Sequence, residues 1–184
     1  MKHTIVALVE DRPGCLNRIS SLFRRRGFNI ESLTVGHSEL PGLSRMTMVV
    51  DGATTVVEQV AKQLYKIIDV VKVSDITDDM SVHRELAMIK VHSTSSTRSE
   101  IIQIVDIFRA NIVDVAHDSL IVEVTGTEDK IESLVQLLKG FGIREIARTG
   151  KIAMVRGISG MNQGESEKPP SVRRLRASKL AAIS

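Results

Sequence analysis

The chain has 184 residues, 42% of them hydrophobic and 26% charged, which is the composition of one ordinary globular domain or two small ones. Its formal net charge of +3 comes entirely from residues 160–184, so residues 1–159 are neutral and lack the basic excess of a nucleic-acid-binding domain. No early apolar run is long enough for a membrane helix or a signal peptide, and the single cysteine, Cys15, excludes a disulfide framework, so we expect a soluble, cytoplasmic protein.

The first 76 residues predict the order strand, helix, strand, strand, helix, strand. Alternating or β-branched apolar residues place the strands at 3–10, 29–35, 44–51 and 70–76. The first helix follows a turn at residues 11–14, with Pro13 at its first position, and Gly27 ends it. The second helix is predicted at residues 54–67, where apolar residues recur at helical spacing.

A polar segment follows, and the same order of elements then recurs. Strands are predicted at residues 85–92, 111–116, 120–125, 144–147 and 151–155, with helices at 97–108 and 128–139. We therefore predict one domain at residues 1–76, a linker at 77–83 and a second domain at 84–158. Glycine, proline and polar residues replace the apolar pattern after that, so residues 159–184 are predicted to be a disordered basic tail.

This order is that of the ferredoxin-like fold, an α+β arrangement in which both helices cover one face of a four-stranded antiparallel sheet. We expect two such βαββαβ modules. The opposite face of each sheet is predicted to be bare, and a bare apolar face needs a partner or a ligand to cover it.

Three common uses of this fold do not suit the residues. An RNA-binding module needs aromatic side chains on its first and third strands, and residues 3–10 and 44–51 contain none. A metal carrier needs paired thiolates, which one cysteine cannot provide. An enzyme needs a nucleophile, acid or base in a cleft, and the histidines have neither metal-site nor catalytic-triad spacing. The five histidines are His3, His37, His83, His92 and His117, of which His83 is expected to be solvent-exposed.

What remains is a small-molecule site at the turn before the first helix. Free N–H groups and the positive end of the helix dipole favour a carboxylate there, and Gly14 has no Cβ to block a close approach. Asp11 is placed to accept an α-ammonium group. A Pro-Gly turn at a helix start is also common for structural reasons alone. Asn29 would lie away from Gly14 within one module, but the two could meet across a dimer.

Several longer segments resemble the small, regulatory subunit family of acetolactate synthase (acetohydroxyacid synthase). The first module is similar to an ACT domain, a family of amino-acid-sensing modules, and the second resembles the C-terminal domain of the same family. The most diagnostic motif is Asn29-Ile30-Glu31-Ser32-Leu33. The other matching segments are residues 9–14, 25–36, 43–47, 63–70, 84–90, 107–110 and 147–150.

The resemblance implies that a branched-chain amino acid, usually valine, binds between the ACT domains of two subunits. By position, Asp11 and Gly14 would come from one subunit and Asn29 and the Ile30 backbone from the other. Two further residues, Gly36 and Gln59, would lie nearby. Asp11 departs from family members that have Asn, which keeps an acceptor for the ammonium group and adds a charge.

The resemblance also implies partners. The chain would form a homodimer, bind a separate large, catalytic subunit and make it sensitive to feedback inhibition. Thiamine diphosphate, Mg²⁺ and FAD would belong to that large subunit, with no catalytic residue, cofactor, metal, nucleic acid or membrane on this chain. The alternative is a free-standing ACT-type amino-acid sensor acting on another enzyme or regulator.

Overall fold

The computed structural model describes residues 1–157. The predicted tail at residues 159–184 and the last residue of the predicted second domain lie outside the described residues. The nine strands of the described part are β1 (Lys2–Glu10), β2 (Ile30–His37), β3 (Leu43–Asp51), β4 (Val70–Asp75), β5 (Ser81–His92), β6 (Asn111–Val115), β7 (Ser119–Gly126), β8 (Ile143–Arg148) and β9 (Ile152–Val155). Its α-helices are α1 (Cys15–Arg26), α2 (Thr54–Leu64), α3 (Arg98–Ile107) and α4 (Glu128–Leu138), and a 3₁₀ turn covers Lys139–Phe141.

The first compact unit comprises Met1–Val82 and the described residues from Ala153 onward. Its sheet has the strand order β2-β3-β1-β4, and every neighbouring pair is antiparallel. Side chains alternate along β1, so Ile5, Ala7 and Val9 belong to the core that α1 and α2 cover. This is the predicted ferredoxin-like arrangement, and the fold class is confirmed.

The opposite face of this sheet differs from the prediction, because it is not bare. Val6 is fully buried and packs against Ile76 and Ala153. On the same face, Leu8 packs against Leu43 and Val71. The sequence prediction assigned residues 151–155 only to the second module, and local patterning gives no signal that the chain returns to the first sheet after residue 152.

The second compact unit is His83–Ile152, with the strand order β6-β7-β5-β8. Its core follows the same alternation, with Ala87, Ile89 and Val91 of β5 buried beneath α3 and α4. The two modules therefore have the same order of elements and the same sheet topology. Among residues 1–157, no helix is long and apolar enough to cross a membrane.

Three predicted boundaries are corrected. Helix α1 begins at Cys15 rather than Pro13, because Gly14 adopts a left-handed conformation at the N-cap. Helix α2 ends at Leu64 rather than residue 67, since the N–H groups of Lys66 and Ile67 bond to carbonyls three residues back. Strand β5 starts at Ser81, inside the predicted linker 77–83, where the Met80 carbonyl accepts a backbone hydrogen bond from Arg156 at 2.7 Å.

Candidate functional site

The turn between β1 and α1 forms an exposed corner at one end of the first sheet. The Asp11 N–H donates to the Gly42 carbonyl at 2.9 Å, which fixes the end of β1 against the turn before β3. Gly14 then caps α1 with φ 87°, a conformation that L side chains rarely adopt. A Cβ at Gly14 would meet no atom within 4 Å, so the surface beside it is open.

The N-terminus of α1 has the features of an anion-binding site. It has no side-chain cap and no acidic residue in its first turn. Within residues 1–157, the N–H groups of Leu16 and Asn17 have no hydrogen-bond acceptor. Unsatisfied N–H groups and the helix dipole together attract a negative group such as a carboxylate.

Several charged side chains surround this corner, and sequence analysis identified only Asp11 among them. The Asp11 carboxylate lies 3.3 Å from Nδ1 of His37, at the end of β2. Glu10 is buried and lies 3.2 Å from Nε of Arg12. The same end of the sheet therefore offers carboxylate oxygens for a cation next to N–H groups for an anion.

A second ion pair lies beneath the corner, between Arg18 of α1 and Asp69 just before β4. The Asp69 side chain is only 5% exposed. Sequence analysis missed both residues because they are 51 positions apart and neither belongs to a local motif. The sequence signal that could have identified Asp69 is an acidic residue within the otherwise apolar segment 67–71.

Cys15 is the first residue of α1 and is part of the first core. Burial and then the Asp69 carboxylate raise the pKa of the Cys15 thiol above its ordinary value, and Arg18 opposes this effect. The thiol therefore senses both the buried Asp69 and its partly exposed partner Arg18 at the start of the helix.

Asn29 and Ile30 lie at the other end of the sheet. Ile30 and His3 are both paired with Val50, whereas Glu10 is paired with Leu43. Seven residues of β1 separate the two ends, which is about 24 Å at the usual rise of an antiparallel strand. One chain therefore does not bring Asn29 and Gly14 together.

The two remaining predicted residues are both exposed. Gly36 of β2 is paired with Arg45, which is paired with Leu8, so it lies near the Asp11 end of the sheet. A Cβ at Gly36 would meet nothing within 4 Å. Gln59 lies in the middle of α2 and points away from the core that the neighbouring Val57 and Val60 enter.

Comparison with known proteins identifies the family. A family model described as the small subunit of acetolactate synthase matches residues 84–157, and an "AHAS small subunit-like ACT domain" model matches residues 5–72. The chain is 60% identical over 157 residues to a probable acetolactate synthase small subunit of Archaeoglobus fulgidus, covering 85% of this chain and 98% of that protein. The chain belongs to the acetolactate synthase small-subunit family.

Two further small-subunit relatives agree with this assignment. An acetolactate synthase small subunit of Bacillus subtilis is 56% identical over 159 residues, with 85% of this chain and 92% of that protein covered. The crystal structure of the Thermotoga maritima small subunit superimposes with a TM-score of 0.80 at 44% identity, covering 85% of this chain and 98% of that chain. The predicted resemblance is thus confirmed, and a regulatory subunit of this family has a catalytic large subunit as its partner.

In this small-subunit fold, the corresponding corner of the second module has a different chemistry. The Thr94 and Thr97 hydroxyls bond to each other and to backbone N–H groups of this turn. The Arg98 guanidinium donates to the carbonyls of Ala116 and His117, at 2.7 and 2.9 Å. An acid, Glu100, already occupies the first turn of α3. The start of α3 therefore differs from that of α1 in the acid of its first turn and in the hydroxyl groups of the preceding turn, although neither helix has a side-chain cap.

His92 and His83 belong to the second compact unit, outside the β1–α1 corner. Nδ1 of His92 lies 2.9 Å from the Asp118 carbonyl and 3.0 Å from Arg144, on an exposed network. His83 is half-buried rather than exposed as predicted, and burial lowers its pKa. Within residues 1–157, no three His, Cys, Asp or Glu side chains are grouped to hold a metal ion.

Proposed function

We propose that this chain acts in the cytoplasm as the non-catalytic subunit that activates acetolactate synthase and makes it sensitive to valine or a related branched-chain amino acid. The observation that carries the proposal is the β1–α1 corner. It combines free N–H groups at a helix start with nearby carboxylates, which is the complement of an amino-acid zwitterion.

The proposed recognition assigns one part of the corner to each charge of the effector. The N–H groups of Leu16 and Asn17 donate hydrogen bonds to the α-carboxylate, supported by the positive end of the helix dipole. The Asp11 carboxylate binds the α-ammonium group. Hydrogen bonds to charged groups of this kind contribute about 1.5 to 3 kcal/mol each, so the loss of either should be measurable.

The effector site requires two copies of the chain in this proposal. Asp11 and Gly14 lie at one end of the sheet, and Asn29 and Ile30 lie at the other. A two-fold dimer in which the two sheets run antiparallel would place each end beside the opposite end of its partner, and its symmetry would form this contact twice. Each dimer then holds two equivalent effector sites.

In this proposal, regulation depends on the effector binding one arrangement of the dimer more tightly than another. The small-subunit dimer binds the large subunit, which carries thiamine diphosphate, Mg²⁺ and FAD, and stabilises its active state. The effector favours a dimer arrangement that supports this state less well, so catalysis falls as valine accumulates. The chain itself contributes no cofactor and no catalytic residue.

Calorimetry with the purified chain tests the proposal directly. Valine, leucine and isoleucine are titrated first, followed by isovalerate, which lacks the ammonium group, and isobutylamine, which lacks the carboxylate. We expect at least one amino acid to bind and both analogues to bind far more weakly. The same amino acid should inhibit the enzyme reconstituted with the large subunit, while the chain alone makes no acetolactate from pyruvate. Equal binding of valine and isovalerate would refute the role of Asp11.

A further inference from the structure

The Arg18–Asp69 ion pair connects the two halves of the β1–α1 corner. Asp69 lies in the short segment that leads into β4, and its backbone carbonyl accepts the N–H of Glu10, the last residue of β1, at 2.8 Å. Its carboxylate bonds to Arg18, the fourth residue of α1. Asp69 thus contacts the end of β1 through its backbone and the start of α1 through its side chain.

The charge of Asp69 is placed where it would oppose an anionic ligand. Its side chain is 5% exposed, and it acts electrostatically on Cys15, the first residue of α1. A buried negative charge is poorly screened by solvent and repels a second negative charge nearby. Without a compensating cation, the N-terminus of α1 would be a poor site for a carboxylate.

Arg18 supplies that cation from the helix itself. We propose that Arg18 is a positioning residue that neutralises Asp69 beneath the N-terminus of α1 and so makes this helix start available to the carboxylate of the effector. The inference rests on the proposed function, since it concerns the same site. Neither residue needs to touch the effector.

An electrostatic role predicts an asymmetry that a purely structural ion pair does not. Arg18→Gln leaves the buried carboxylate uncompensated, which repels the effector. Asp69→Asn removes that charge and leaves a cation, so effector affinity is retained or increased. The double variant Arg18→Gln with Asp69→Asn is neutral at this position and should recover most of the affinity lost in Arg18→Gln.

The test is valine calorimetry on the full chain, with activation of the large subunit as a check of folding. We expect Arg18→Gln to weaken valine binding about tenfold or more, which corresponds to about 1.4 kcal/mol. Arg18→Lys keeps the charge and should stay within about threefold of the wild type. Arg25→Gln is the matched control, because Arg25 is an exposed arginine on the same helix whose Nε donates to the Ser21 carbonyl.

A different pattern would overturn the inference. If Asp69→Asn weakened valine binding as much as Arg18→Gln, and the double variant recovered nothing, the pair would be structural. Arg18→Lys and the double variant decide the question if Arg18→Gln does not fold.

A second measurement needs no effector and separates this inference from the proposed function. Cys15 is the only cysteine, so its thiol can be titrated specifically. We expect Arg18→Gln to raise the Cys15 pKa and Asp69→Asn to lower it, relative to the wild type. Unchanged titration in both variants would refute the charge arrangement, whereas a wild-type chain that binds none of the three amino acids would refute the proposed function.

Discussion

At the scale of single residues, Gly14 combines a structural role and a proposed functional role. Its left-handed φ of 87° strains any L residue, so every substitution disturbs the corner to some degree. Gly14→Ala and Gly14→Asp share this strain, of about 1 kcal/mol. A Cβ at Gly14 would meet no atom within 4 Å, so neither variant creates a steric clash there. The two variants therefore differ mainly in the carboxylate of Asp, which is also a better N-cap residue than Ala.

We therefore expect Gly14→Asp to abolish valine inhibition while Gly14→Ala keeps part of it. The added carboxylate accepts the helix N–H groups and repels the effector carboxylate. Inhibition curves of the reconstituted enzyme and urea unfolding of each variant are the measurements. The functional role of the turn would be excluded if both variants retained wild-type inhibition, or if both lost the ability to activate the large subunit.

Asn29 gives a sharper test because it is exposed and has no core contact to lose. Asn29→Ala should change the free energy of unfolding by less than about 0.5 kcal/mol, as is usual for surface substitutions. If its amide binds the effector, valine affinity should fall roughly ten- to hundredfold, equivalent to about 1.5 to 3 kcal/mol. Gln103→Ala, an exposed amide on α3, is the control, and identical valine affinity in the two variants would argue against the role of Asn29.

At the scale of elements, β2 is the edge strand of the first sheet that offers a partner an exposed apolar side chain. It lies at the edge of the first sheet, and Val35 on it is 44% exposed. Unpaired edge strands with apolar side chains are templates for pairing with another chain, and a lysine on the edge opposes this. Residues of the same chain cover Val6 and Leu8 on the outer face of the first sheet, so that face is no longer the main reason to expect a dimer. The exposed edge at β2 is the remaining reason.

We expect the wild type to be a dimer in light scattering and Val35→Lys to shift it toward monomer. Valine binding should weaken in parallel, because the proposed site needs both copies. Ile68→Lys, at a residue 77% exposed and away from the edge strand, is the matched control. A wild type that is monomeric at micromolar concentration would contradict the dimer proposal.

The order of elements was predictable from sequence because it depends on local patterns. The β-branched and apolar run at residues 3–10 and the helical spacing from Leu16 to Phe23 are each visible within a few residues. The contacts that shape the candidate site are not local. Arg18 meets Asp69 across 51 residues and Arg45 donates to the Ala153 carbonyl across 108, so neither pair leaves a periodic signal.

The start of α1 shows a second reason why a prediction from sequence can be wrong. Pro13 suits the first position of a helix by its own geometry, and that preference led to the wrong boundary. The left-handed Gly14 ends the turn instead, and the helix with its free N–H groups begins two residues later than predicted. The candidate residues were predicted from the turn and from the family resemblance. The pairing of the charged residues near them, Arg18 and Asp69, could be identified only from the folded structure.

At the scale of the whole molecule, the two ends of the predicted effector site lie at opposite ends of one sheet, so a single chain cannot complete it. Sensing is therefore a property of the dimer in the proposed function, and inhibition is a property of the dimer bound to the large subunit. This linkage makes a quantitative demand, because a coupling free energy between two binding sites is reciprocal.

If valine weakens the productive binding of the large subunit by some factor, the large subunit must weaken valine binding by the same factor. We expect this factor to lie in the range of about 5 to 150 that is typical of allosteric coupling. Two pairs of measurements check it: the affinity for the large subunit with and without saturating valine, and the affinity for valine with and without saturating large subunit. Gly14→Asp, which should not bind valine, is the control for the first pair. Two factors that both equal one, with inhibition intact, would show that valine acts on turnover without changing assembly, which contradicts the proposed mechanism.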